Sequence, residues 1–150
     1  MGVDRRTAAG AAVFGFGLGG LLDVILLHHV LQWHNLVSSV VDRETLSGLE
    51  RNLFWDGVFH LATTALLVAG VVLLRHERAG RAPLRSVAGV ALVGWGAFHV
   101  VDQLAFHLAL ELHHIRMDAA SRALYDWGFF GVGLVLAAAG ALLLRRSATA

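Results

Sequence analysis

Four long apolar stretches, separated by short polar connectors, decide what this chain can fold into: residues 8–33, 53–74, 87–112 and 124–144. Each runs to about 20 residues or more, enough at about 1.5 Å per residue to cross a ~30 Å hydrocarbon core as a helix. Within lipid the backbone must satisfy its own hydrogen bonds, so stretches of this length are expected to be helical. The fold expected is therefore all-α: an integral membrane four-helix bundle in one transmembrane domain, residues 1–150. Hydrophobic residues make up 57% of the chain, above the roughly half usual for soluble domains. The first stretch follows Arg5 and Arg6 as a secretory signal would. It is too long for one, lacks a clear small-residue cleavage site and carries Asp23 and His28 inside it, so it reads as a retained helix.

Charge sets the expected orientation. Arg5 and Arg6 precede the first stretch, Arg75, Arg78, Arg81 and Arg85 lie between the second and third, and Arg145 and Arg146 end the fourth. All of these fall on one side, which the positive-inside rule makes cytoplasmic. Arg43, Arg51, Arg116 and Arg122 fall on the other side, diluted by Asp42, Glu44, Glu50 and Asp118. The expectation is a multi-pass protein of the cell membrane with both termini cytoplasmic and an outer aromatic belt of Trp33, Trp55, Tyr125 and Trp127. Its partner is the lipid bilayer, with a second copy or other membrane subunits left open. A net charge of +1 without a clustered basic face excludes nucleic acid.

There is no cysteine, which removes disulfides, thiolate ligands and iron–sulfur clusters. Met1 and Met117 are too few to line a Cu(I) path. Against this stand nine histidines, an excess that requires explanation in so apolar a chain.

The two halves resemble each other. A shift of 79 positions lays Gly15, Gly17, Asp23, His28, Gln32 and His34 on Gly94, Gly96, Asp102, His107, Glu111 and His113. A shift of 70 lays Trp55, Asp56, Phe59 and Gly70 on Tyr125, Asp126, Phe129 and Gly140. Each half then forms one helical hairpin, and the bundle becomes two parallel-repeated hairpins related by an axis along the membrane normal. Glycines match easily by chance, whereas Asp-x4-His-x5-His twice within apolar stretches does not.

Ionisable groups in lipid cost about 2.5–3.5 kcal/mol each and mark function when they face a bundle interior. Counted inward from the aromatic belt, His28, His60 and His107 share one level, roughly 7–8 Å deep. Three imidazoles at one level suit a divalent metal with a position left open. Asp23, His99 and Asp102 lie deeper, at roughly 15–20 Å, as a second site or as hydrogen-bond partners of the ligands. Asp56, Asp126, His34, His113 and Glu111 form a polar rim, with His114 beside them. Ligands without sulfur point to Zn, Cu(II) or non-haem Fe, and to a metalloenzyme of open substrate facing the outer side. One alternative is a haem b electron carrier using His28 with His107, or His60 with His99. Another is a proton or ion transporter through Asp23, His99 and Asp102. The lower halves speak against transport, since residues 7–22, 65–74, 87–98 and 132–144 carry no ionisable group.

Plainer readings stand beside these. His29 and His76 read as incidental, Asp56 and Asp126 could be N-caps, and the buried set could be interhelical hydrogen-bond glue. The glycines of the first and third stretches permit close packing. Gly15–Gly20 has dinucleotide-loop spacing but follows no strand, which excludes that reading.

With these residues in view, the chain resembles a bacterial family of short predicted membrane proteins, domain of unknown function 2243. The resemblance rests on Gly15 to Asp23, on Leu27-His28 and Leu31-Gln32-Trp33-His34, on Asp56-Gly57 with His60, on Gly94-Trp95-Gly96 with His99, Asp102 and His107, and on Tyr125-Asp126. It covers nearly the whole chain. It implies a four-helix membrane fold and no particular activity.

Overall fold

The computed structural model describes residues 3–75 and 82–148. Helix α1 (Arg5–Asp23) runs on into a π-helical segment, Val24–Val30, and α2 spans Leu46–Arg75. Helix α3 (Leu84–Asp102) likewise runs on into Gln103–Ala109, and α4 spans Arg122–Ala148. Four helices are long and apolar enough to cross a membrane: Arg5–Val30, Leu46–Arg75, Leu84–Ala109 and Arg122–Arg146. The expected basic positions Arg78 and Arg81, and His76, lie outside the described residues.

Local chemistry sets the ends. Asp4 caps α1, its carboxylate accepting from the Arg6 and Thr7 amides at 2.9 and 3.1 Å. Pro83 precedes α3, where a missing N–H costs nothing. The first and third helical runs stop at Val30 and Ala109, short of the expected 33 and 112, and Gln32 and Glu111 then take positive φ of 52° and 50°. Those residues turn the chain back over the bundle. Helix α2 starts at Leu46, earlier than the expected 53. Its polar first turns escape a hydropathy scan, yet Asn52 donates to the Val41 and Gly48 carbonyls at 3.0 Å each and ties them in.

Helix α1 packs on α2 and α3, and α3 on α1 and α4, so the order across the bundle is α2–α1–α3–α4. The central helices approach closely at two glycines. A Cβ on Gly15 would collide with the Ala91 carbonyl, and one on Gly94 with the Ala12 carbonyl. Large aliphatic side chains such as Leu61 and Val135 are exposed on the flanking helices, while the buried set is dominated by Asp, His, Asn, Ser and Thr. Such an inside-out distribution belongs to a protein whose outer solvent is lipid, where apolar surface has no reason to be hidden.

At one end the two connectors cross each other. The Ser39 amide donates to the Leu112 carbonyl at 2.9 Å and the Met117 amide to the Trp33 carbonyl at 3.1 Å. Trp33 and Tyr125 meet edge to face at 5.6 Å, beneath the Arg116 guanidinium. Of the expected belt, Trp55 and Trp127 are exposed, whereas Trp33 and Tyr125 hold this cap together.

Candidate metal centre

Beneath the cap lie two groups, Asp23 with His28 and His34, and Asp102 with His107 and His113. Within each, one ligand-type atom per residue lies within 4.8 Å of the others, and all six residues are buried. The π-helical segments make this possible. Asp23 and His28 are five apart, a spacing that leaves side chains about 140° apart around an α-helix. The i→i+5 register of a π-helix brings them to one face. The same holds for Asp102 and His107. His34 and His113 arrive from beyond the helix ends, carried inward by the turns at Gln32 and Glu111.

All four imidazoles of the two groups are held through Nδ1. His28 Nδ1 donates to Asp56 at 2.8 Å and His107 Nδ1 to Asp126 at 3.1 Å. His34 Nδ1 donates to the Ile115 carbonyl at 2.8 Å, and His113 Nδ1 to the Leu36 carbonyl at 2.9 Å, so each connector holds the other's histidine. A carbonyl only accepts, so the proton of these two rings sits on Nδ1 and the lone pair on Nε2. His34 and His113 lie in the connectors, outside the spanning helices. Burial, reinforced by neighbouring imidazoles, pushes His34 well below its ordinary value and His113 down to about 4. Both are neutral at physiological pH and therefore able to ligate a metal.

The supporting carboxylates are saturated in turn. Asp56 also accepts from the Leu36 amide at 2.8 Å and from Asn35 Nδ2 at 2.7 Å. Asp126 accepts from the Ile115 amide at 2.8 Å and from His114 Nδ1 at 2.7 Å. Phe59 stacks on His28 and Phe129 on His107, both at 6.0 Å between ring centres. On the inner side the pattern is reversed. The Nε2 atoms of His28, His34 and His113 and both carboxylate oxygens of Asp23 are buried with no hydrogen-bond partner, and only His107 Nε2 meets Asp102, at 3.0 Å. His28 Nε2 stands 3.4 Å from Asp23. The His34 and His113 rings stack at 4.5 Å where the two groups adjoin.

The expected residues are thus sorted. Asp23, His28, Asp102 and His107 come together, and His34 and His113 join them from the rim. Asp56 and Asp126 stand behind His28 and His107, and since Asp56 lies well inside α2 it caps nothing. His60 does not meet His28 or His107: it is half-buried, on the His29 side, 6.1 Å between rings. His99 is buried but packs on Phe129 at 4.1 Å, outside both groups. Glu111 is exposed at its turn. The backbone carbonyls of Leu36 and Ile115, and the roles of Asn35 and His114, could not be foreseen without the cap.

The family model described as predicted membrane protein, DUF2243, matches residues 10–147. The chain belongs to the DUF2243 family. That match spans both helical hairpins and both groups of ligand-type side chains. No curated protein and no solved structure matches the chain.

Proposed function

We propose that this DUF2243 protein binds two divalent transition-metal ions side by side, one through Asp23, His28 and His34 and the other through Asp102, His107 and His113. The observation that carries the reading is the row of unpartnered inward atoms on Asp23, His28, His34 and His113. Buried polar groups without partners are costly, and here three of them belong to imidazoles already held through Nδ1. Hydrogen-bond glue would pair these atoms as Asp102 pairs with His107 at 3.0 Å; those of Asp23, His28, His34 and His113 are left free for a metal. Two histidines and one carboxylate with open positions is a ligand set typical of non-haem Fe(II), and it also suits Zn.

Asp56 and Asp126 keep the protons of His28 and His107 on Nδ1 and raise the basicity of Nε2, and the crossed carbonyls do the same for His34 and His113. A bound ion would supply a Lewis acid, an acidified water or a site for O2. The matched halves are read as one duplicated hairpin, each supplying one ion. The positive-inside rule puts the cap and its site on the outer side, with both termini cytoplasmic. A haem is disfavoured because His34 and His113 fill the space between His28 and His107, 4.4 Å from each in turn.

Elemental analysis after reconstitution with Fe(II), Zn or Mn tests this. About two ions per chain are expected, lost in a His34→Ala/His113→Ala double variant and retained in His60→Ala. Wild-type protein that stays metal-free would overturn the proposal.

A further inference from the structure

Metal binding would satisfy the inward atoms of the two groups, yet among the other buried polar atoms without partners, His99 Nδ1 and Trp95 Nε1 fall together. Both side chains line a cleft of about 400 Å³ between α1, α3 and α4, together with Leu22, Leu26 and Phe129, and Asp23 lies on its wall. His99 is 8% exposed. Its imidazole stands edge-on to Phe129 at 4.1 Å, and its Nδ1 has no hydrogen-bond partner. Leu22 and Leu26 are exposed on the outside of the bundle at the same cleft, at 39% and 49%. In a spanning helix that surface meets acyl chains, so the cleft is reached sideways from lipid and not through water.

The chemistry narrows the occupant. An indole N–H only donates and so requires an acceptor. A neutral imidazole nitrogen donates or accepts, and a carboxylate accepts. One hydroxyl group, donor and acceptor together, answers both sides. The apolar walls and the aromatic face of Phe129 take an uncharged body. We infer that the cleft binds a membrane-soluble molecule with a hydroxyl head, its head between Trp95 and His99 and its tail leaving past Leu22 and Leu26 into the bilayer. Asp23 borders both the cleft and the proposed metal site, so the head would rest beside that site. A long-chain alcohol and an alkyl hydroquinone share this chemistry.

The test uses the full chain in nanodiscs with a diazirine-bearing dodecanol as photolabel and a diazirine-bearing dodecane of equal length as control. The alcohol label is expected on Leu22, Leu26 or Phe129 well above the alkane. Excess dodecanol or excess decylhydroquinone should displace it: displacement by one alone assigns the source, and by both assigns the hydroxyl head. Trp95→Phe and His99→Phe each keep a ring and should weaken displacement about tenfold, the size of one lost hydrogen bond in a dry site. Retained metal content or an unchanged elution profile reports that these variants fold. Equal labelling by alkane and alcohol, or no response to either variant, overturns the inference. Labelling that persists in His34→Ala/His113→Ala, or in wild-type protein that proves metal-free, leaves the cleft standing whatever becomes of the metal reading.

Discussion

At His34 and His113 the Nδ1 proton is donated to a main-chain carbonyl of the opposite connector, and this bond fixes both the tautomer and the aim of Nε2. Asp56 and Asp126 do the same work for His28 and His107 through a charge. Asp56→Asn and Asp126→Asn keep the shape but remove that charge, and should weaken metal affinity roughly 10–100-fold, read by competition with a chelator. Affinity equal to wild type would mean these carboxylates do not support ligands. In metal-free protein the same burial predicts a pH dependence. His113, facing Asp102, His107, His28 and His34, titrates at about 4 when folded against 6.5 ordinarily, and His34 is shifted in the same direction. Between those values the unfolded chain binds protons that the folded chain refuses. Stability should therefore fall as pH drops from about 6.5 toward about 4. Thermal unfolding of stripped protein in detergent would show it, and a His113→Asn variant should flatten part of the slope.

Among the elements, the spanning helices were legible because a run of about 20 apolar residues has few other fates in lipid. The Asp-x4-His-x5-His spacing at Asp23 and Asp102 was legible as a repeat, though not as the two groups that the structure brings together. Read on a straight α-helix, Trp33 is the last helical residue, His34 falls at the rim, and His60 shares a level with His28. The π-helical segments Val24–Val30 and Gln103–Ala109 rotate the lower members onto one face, and positive φ at Gln32 and Glu111 folds the upper ones inward. Neither residue is a glycine, so no composition signal marks the turn. Close approach of α1 and α3 is testable at Gly15 and Gly94, where any side chain meets a backbone carbonyl. Gly15→Val should cost on the order of 3 kcal/mol or prevent folding. Gly57→Ala and Gly128→Ala, which meet nothing within 4 Å, should be tolerated. Comparable folded yields for all three would contradict the packing described.

For the whole molecule, the cap end and the opposite end differ in kind: one gathers nearly all the buried ionisable groups, and the other is aliphatic. Cysteine introduced at Ser39, in the cap, should label from outside the cell, and at Leu84 from the cytoplasm; the reverse would invert the molecule. The aliphatic halves also predict no proton or cation flux in liposomes under an imposed gradient. Flux lost in Asp102→Asn would make transport the better reading. The central claim, that the two Asp-His-His groups are metal sites, is tested most directly by X-ray absorption on metal-loaded protein. The account predicts a shell of nitrogen and oxygen only, at about 2.0–2.2 Å, with outer-shell scattering from about two imidazoles per ion that is lost in His34→Ala/His113→Ala. Bound metal with no imidazole scattering, or with scattering unchanged in that double variant, would contradict it.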